Sequence, residues 1–94
     1  MTWYVYVARC ADGSLYCGIA RNVGARIADH EAGKGARYTR GRGPLAVLLT
    51  RRCADHGRAL KIEYAFKQLT RVQKEAVVVA PRSLDAIARK ATRA

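Results

Sequence analysis

Long apolar runs are missing from this 94-residue chain. The longest aliphatic runs, Leu45–Leu49 and Ala76–Ala80, are far shorter than the roughly 20 residues that a membrane-spanning helix needs. The first residues also lack the basic segment and apolar stretch of a secretory signal. The sequence therefore predicts neither a transmembrane nor a secreted protein, and it predicts no membrane partner.

Cysteine is also scarce, and its spacing excludes two further classes of protein. Cys10, Cys17 and Cys53 are odd in number, and no two of them have the CxxC spacing of a zinc site. A disulfide framework would need a different arrangement as well. We therefore expect three reduced, buried thiols and a cytoplasmic location.

Acidic residues are few: 7 Asp and Glu stand against 18 Lys and Arg, which gives a formal net charge of +11. The excess is concentrated between Ala32 and Lys74, where only Asp55 and Glu63 are acidic. Within it, the segment 33–43 (GKGARYTRGRG) alternates cations with glycines and one aromatic, which suits a loop lying along a phosphate backbone. The charge therefore favours a polyanionic partner, namely nucleic acid.

The first twenty residues predict a β-hairpin. Trp3–Cys10 and Leu15–Ala20 are aromatic or β-branched segments that flank an Asp-Gly turn signal. Their apolar residues share one face only if the loop holds an odd number of residues, so we expect a three-residue loop, Asp12–Ser14. Tyr6 and Tyr16 then lie together on the opposite face.

The rest of the chain predicts one further strand and four helices. Asn22 can cap a helix that runs to about His30 or Glu31, with Gly33 or Gly35 as its terminator. LAVLLTRR, residues 45–52, follows as a third strand. Asp55 can cap the next helix, and Ser83 can cap the last one. Between them, Thr70-x-x-Gln73 has the pattern of a capping box and begins a short helix that ends at Pro81.

Together these elements predict an α+β fold, a three-stranded antiparallel sheet with helices packed on it. We expect a single domain over residues 1–94, with a core of about 3–74 and C-terminal helices over 71–91. One carboxylate is unusually placed: Glu63 lies on or beside the apolar stripe of its helix and needs a partner or a metal ion there. An ordinary ion pair with Lys67 would also satisfy it.

The order and spacing of several residues resemble the GIY-YIG nuclease domain. They are the tripeptides Tyr4–Tyr6 (YVY) and Tyr16–Gly18 (YCG), then Arg26, His30 and a helical Glu63. The resemblance covers roughly residues 3–74, and the stretches EAGKGARYTRG and EYAFKQLT are most similar to small stand-alone bacterial members.

The chain departs from the family pattern at several positions. Tyr4 and Val5 replace the Gly and Ile of the first tripeptide, and Cys17 replaces the Ile of the second. Many members carry an Asn about a dozen residues after the glutamate, where this chain has Glu75. This last departure concerns substrate positioning more than metal binding.

The resemblance implies metal-dependent hydrolysis of phosphodiester bonds. Glu63 would hold one Mg²⁺ or Mn²⁺, with waters and phosphate oxygens completing its coordination. Arg26 would stabilise the charged phosphate, and Tyr16 would orient the water. Either Tyr6 or His30 would be the general base, and the sequence leaves that choice open.

The resemblance also implies a partner and a role. The substrate would be DNA rather than RNA, recognised by its structure and cleaved in repair or recombination. The chain would act as a monomer or weak homodimer, with a protein partner for targeting. Alternatives are a non-catalytic nucleic-acid-binding module and a protein that is basic by composition alone. The residues predicted to bind nucleic acid are Lys34, Arg37, Arg40, Arg42 and Lys67.

Overall fold

The computed structural model describes residues 1–32 and 44–91 of the chain. This part forms three strands and four helices, and the strands make one antiparallel sheet in which the first strand lies between the second and the third. The α+β fold predicted from the sequence is therefore confirmed. In chain order the elements are β1 (Trp3–Arg9), β2 (Leu15–Ala20), α1 (Val23–Glu31), β3 (Ala46–Cys53), α2 (His56–Lys67), α3 (Arg71–Val79) and α4 (Ser83–Ala91).

The β1–β2 hairpin closes through a three-residue loop, as predicted, but the loop is residues 11–13 rather than Asp12–Ser14. The Cys10 N–H donates to the Ser14 carbonyl at 2.8 Å, and the Gly13 N–H donates to the Cys10 carbonyl at 2.9 Å. Gly13 has a φ of 86°, a left-handed conformation that glycine adopts without strain and that typically ends such a loop. The predicted loop was wrong by one residue, because the glycine fixes where the turn ends.

The odd loop length gives the sheet the two faces that the alternation predicts. Val5 and Val7 lie opposite Ile19 and Cys17 on one face, which packs against α2, α3 and α4. Tyr6 lies on the other face, where α1 packs. Two hydrophobic clusters therefore form on opposite sides of the sheet, and the aromatic side chains of the candidate site belong to the one beneath α1.

Local capping explains where three of the helices begin. The side chain of Asn22 accepts a hydrogen bond from the Ala25 N–H at the start of α1, and Asp55 accepts one from the Arg58 N–H at the start of α2. Thr70 and Gln73 form a complete capping box at α3. These caps are confirmed, whereas Ser83 is wrong as a cap because it is already the first residue of α4. The predicted helix terminators at positions 33 and 35 lie outside the described residues; the C-cap of α1 is Ala32.

An ion pair ties α3 to the end of the first strand. Arg9 donates to both carboxylate oxygens of Glu75, at 2.8 and 2.9 Å, and Arg71 lies 3.7 Å from the same carboxylate. Such a two-pronged contact fixes geometry better than a single bond does. Glu75, which stands where many members of the family have an asparagine, therefore anchors α3 to the end of β1.

The sequence predicts no disulfide bonds and no membrane-spanning helix. All three cysteines lie in the described part of the chain, and they are buried and free of disulfides, as predicted. No helix within residues 1–32 and 44–91 is long and apolar enough to cross a membrane.

Candidate active site

Tyr6 is the innermost residue of the candidate site. It stands in the central strand and is completely buried, with 0% of its surface exposed. Its hydroxyl lies 2.9 Å from Nε2 of His30, a hydrogen bond that joins β1 to α1. His30 is also buried, with 3% exposed, so the pair is shielded from competing water.

Tyr16 completes a cluster of three rings. Its ring centroid lies 5.2 Å from that of His30, nearly edge-on, and 6.2 Å from that of Tyr6. Tyr16 is on the edge strand β2 and is only half-buried, so it lies between the buried pair and the surface. Arg26, one helical turn before His30, acts electrostatically on all three rings. The structure therefore brings together Tyr6, Tyr16, Arg26 and His30.

Gly18 leaves room for the two tyrosines. It lies directly opposite Tyr6 in the hairpin, and a Cβ atom there would come within 2.6 Å of the Tyr6 hydroxyl oxygen and 2.9 Å of a Tyr16 ring carbon. Real side chains do not tolerate such distances. The glycine is therefore required because the Tyr6 phenol crosses over its α-carbon.

Replacing Gly18 with alanine should displace both phenols and lower the free energy of unfolding by about 1–3 kcal/mol, the usual cost of overpacking a core. Urea denaturation measures this loss. Gly24→Ala is the matched control, because the nearest atom to its new Cβ is 3.6 Å away and alanine favours a helix. Equal stability of the two variants would contradict the close packing at Gly18.

The phenols and the imidazole are held in their neutral forms. Burial raises the pKa of Tyr6, and the neighbouring Tyr16 adds to this rise, whereas the charge of Arg26 opposes it. Burial raises the pKa of Tyr16 as well. Burial also lowers the pKa of His30, and Arg26 lowers it further, whereas Asp29 acts in the opposite direction. At neutral pH His30 is therefore an uncharged imidazole that can accept a proton from Tyr6.

The lowered pKa of His30 predicts the pH dependence of stability. The folded state disfavours the imidazolium, so this group's contribution to stability is complete above its unfolded pKa of about 6.5. The contribution is lost as the pH falls from there toward the lowered folded value. Urea unfolding should give a stability that declines between pH 7.5 and 5.5, with a smaller decline in His30→Gln. An identical decline in that variant would assign the effect to other groups.

Glu63 stands at the margin of the cluster. It lies on α2, on the other side of edge strand β2, and 18% of its side chain is exposed. Its charge contributes to the raised pKa of Tyr16. Together with burial, which is the larger cause, it also raises the pKa of the Cys17 thiol to about 12. Its carboxylate lies 3.5 Å from Nζ of Lys67, the ion pair that the sequence left as an alternative.

A cavity of about 270 Å³ opens between β2 and the helices α2 and α3. Lys67 and Lys74 contribute cations to it, and Nζ of Lys74 lies 6.0 Å from the Phe66 ring centroid. Lys74 was not among the residues predicted to bind nucleic acid. It is seven residues after Lys67, but α2 and α3 are separate helices, so the spacing does not place the two lysines together. The cavity is lined by Leu15, Tyr16, Cys17, Phe66, Lys67 and Lys74.

Glu63 could hold a hard divalent cation. Within the described ranges, no three His, Cys, Asp or Glu side chains are grouped as a set of metal ligands. Mg²⁺ commonly uses one or two carboxylates and completes its coordination with waters and substrate phosphates. A single partly exposed carboxylate beside a cationic cavity fits that mode of binding.

The remaining predicted nucleic-acid contacts fall in the segment 33–43. Lys34, Arg37, Arg40 and Arg42 lie outside the described residues, so their roles stay predictions. Lys67, which is described, borders both Glu63 and the cavity.

Comparison with known proteins matches this chain to one domain family. The family model for the GIY-YIG catalytic domain matches residues 2–76. A UPF0213 protein of Vibrio cholerae is 45% identical over 84 residues, which are 88% of this chain and 83% of the relative. A UPF0213 protein of Desulfotalea psychrophila is 47% identical over 79 residues, which are 83% of this chain and 72% of the relative.

Two solution NMR structures are similar to this chain. That of a UPF0213 protein from Bacillus halodurans has 41% sequence identity and a TM-score of 0.57, covering 90% of this chain and 94% of that one. That of a protein from E. faecalis has 36% identity and a TM-score of 0.60, covering 88% of each chain.

Proposed function

Because the chain belongs to the GIY-YIG family, a superfamily of nucleases, we propose that it is a metal-dependent endonuclease that hydrolyses phosphodiester bonds in DNA. The observation that supports this most is the juxtaposition of Tyr6, Tyr16, Arg26 and His30, with Glu63 close enough for its charge to act on Tyr16. A merely basic surface would not require a buried, hydrogen-bonded tyrosine–histidine pair.

The pair of Tyr6 and His30 is suited to moving a proton. As the attacking water gives a proton to the Tyr6 oxygen, the phenol proton passes to Nε2 of His30, 2.9 Å away. His30 must carry its other proton on Nδ1 for this transfer. The resulting imidazolium is a stronger acid than that of an ordinary histidine, because burial and Arg26 lower its pKa, and so it releases the proton more readily. The Tyr6 hydroxyl is buried, so substrate binding must bring the water to it.

The other residues act on the phosphate and the water. Arg26 would donate hydrogen bonds to the phosphate oxygens, whose charge increases as the water attacks and the bond to the leaving oxygen breaks. Tyr16, half-buried and facing the cavity, would orient the water. Glu63 would hold Mg²⁺ or Mn²⁺, which when bound supplies charge neutralisation and a more acidic water.

The cavity between β2 and α2–α3 is a suitable place for the substrate backbone. Lys67 and Lys74 face it, and Arg71 and Lys74 line a smaller cavity of about 130 Å³ next to it. Phosphate contacts of this kind bind strands of any sequence, so recognition would depend on DNA structure.

We propose that the protein acts in the cytoplasm, in DNA repair or recombination. It would act as a monomer or weak homodimer, and a protein partner would direct it to its substrate.

Lys74→Gln should weaken binding to all DNA sequences and reduce the slope of log affinity against log salt by about one. The reason is that each phosphate contact releases about one counterion from the nucleic acid. Fluorescence anisotropy at several salt concentrations measures the slope. Lys61→Gln removes a charge from the far side of α2 and should leave the slope almost unchanged. An unaltered slope in Lys74→Gln would remove this lysine from the interface.

A panel of labelled nucleic acids tests the proposed activity. Single-stranded, nicked, branched and duplex DNA, and matched RNAs, are incubated with the protein and Mg²⁺, Mn²⁺ or EDTA. We expect cleavage of at least one DNA structure that needs the metal ion and exceeds cleavage of its RNA counterpart. Tight binding to the panel without cleavage would instead support the alternative, a non-catalytic nucleic-acid-binding module.

A further inference from the structure

A further, smaller cationic cavity lies at the opposite edge of the sheet from Tyr16. It has a volume of about 110 Å³ and is found where the end of β3 meets the start of α2 and the last turns of α4. The register places Arg51 opposite Val5, on the face that carries α2 and α4, whereas Arg52 pairs with Tyr4 on the other face. The cavity is lined by Arg51, Arg52, Cys53, Ala54, Arg58, Ile62, Ala88 and Arg89.

The positive charges around this cavity exceed the negative ones. Arg51 donates to Asp85 at 2.8 Å, and Arg58 lies 3.8 Å from Asp55, a carboxylate that also caps α2. Arg89 makes no ion pair with any residue of the described ranges. Four arginines from three different elements thus line the cavity, and the ion pairs that they make among the described residues involve two carboxylates.

Arg51 also carries an unsatisfied donor. Its Nε is buried and has no hydrogen-bond partner among the described residues, although Nη1 of the same guanidinium is bonded to Asp85. A buried N–H without an acceptor costs free energy, so such donors are rare unless a ligand or ion completes them. The side chain is about one-third exposed, and it lines the cavity.

We propose that this cavity binds a single phosphate group of a nucleic-acid strand, as a second contact apart from the site around Tyr6 and Glu63. The volume equals that of about three to four water molecules, which accommodates one tetrahedral anion. Guanidinium groups on several sides of the cavity can donate hydrogen bonds to the oxygens of a phosphate. The tetrahedral phosphate accepts such bonds from more directions than a planar carboxylate does. The assignment to nucleic acid rests on the proposed function, whereas the preference for phosphate rests on the cavity.

The Arg51 Nε–H signal in ¹⁵N NMR spectra reports on this cavity directly. The Glu63→Gln protein, which we expect to bind without cleaving, is titrated with a short single-stranded oligodeoxynucleotide and, separately, with inorganic phosphate. We expect the oligonucleotide to shift the Arg51 signal at concentrations at which inorganic phosphate does not. An Arg51 signal that does not shift in either titration would overturn the proposal. A response to inorganic phosphate alone would overturn the assignment to nucleic acid.

Charge variants on the last turns of α4 provide a second readout. Arg89→Gln should weaken oligonucleotide binding about tenfold and lower its salt slope by about one. Lys90→Gln removes the same charge from the next position, which lines a different groove, and should have a much smaller effect. Equal effects of the two would show general attraction and overturn the site. Because these are binding measurements, a protein that fails to cleave the panel but shows the Arg51 response would disprove only the nuclease activity.

Discussion

Glu63→Gln should reduce DNA cleavage by at least about a hundredfold and leave DNA binding nearly unchanged. Glutamine preserves the size of the side chain but removes the carboxylate that acts on Tyr16 and that would hold the metal ion. Binding should persist because the cations of the cavity remain, and the loss of the partner of Lys67 leaves one more of them free. Single-turnover cleavage at saturating protein, with anisotropy for binding, separates the two effects.

Glu75→Gln is the matched control for this experiment. It removes a carboxylate that holds Arg9 and Arg71 and so supports α3, but it has no contact with the ring cluster. We expect a small loss of stability and normal cleavage by the folded protein. If Glu63→Gln retains cleavage in a preparation free of other nucleases, Glu63 does not bind the metal ion.

Tyr6→Phe should lower the cleavage rate by about 10²–10⁴-fold, the usual contribution of a proton-transferring group. Phenylalanine preserves the buried ring, so the hairpin should still pack around Gly18. The change removes the hydroxyl 2.9 Å from His30 and with it a buried hydrogen bond, at a cost of about 0.5–1.5 kcal/mol in stability. Tyr4→Phe, on the same face of the same strand, is the control and should cleave normally.

The pH dependence of cleavage distinguishes the two candidate bases. If Tyr6 passes its proton to His30, the rate falls on the acidic side as His30 becomes protonated, and the fall begins below the usual histidine range because the pKa of His30 is lowered. His30→Gln should then be slow and lack this acidic limb. A His30→Gln protein with the rate and pH profile of the natural chain would make Tyr6 the base without help from His30.

The hairpin and three of the helix caps could be predicted because they depend on neighbours in the sequence. The alternation of apolar residues fixes which side chains share a face, so the placement of Tyr6 and Tyr16 on one face followed from an odd loop length alone. The position of the loop was wrong by one residue, because Gly13 and the backbone hydrogen bonds between Cys10 and Ser14 determine where the strands close. Asn22 and Asp55 cap their own helices, so no distant contact decides the outcome.

The parts of the site that could not be predicted depend on contacts between distant segments. Nothing in the sequence near Tyr6 shows that its hydroxyl reaches His30, because that contact depends on how α1 crosses the sheet. The position of Lys74 at the cavity could not be predicted either, because it depends on the angle between α2 and α3. The contact of Arg51 with α4 likewise forms only when β3 joins the sheet. Glu63 was singled out by its place among apolar neighbours, but its nearness to Tyr16 required the structure.

Paramagnetic broadening by Mn²⁺ tests most directly whether one carboxylate beside the ring cluster holds the catalytic metal ion. With substoichiometric Mn²⁺ added to the ¹⁵N-labelled protein, we predict that the backbone amide signals of Glu63, Tyr16 and their immediate neighbours broaden first. The same addition should leave those signals sharp in Glu63→Gln. Broadening that spreads over other acidic residues, or that persists around Tyr16 in the variant, would contradict the metal site on which the proposed function depends.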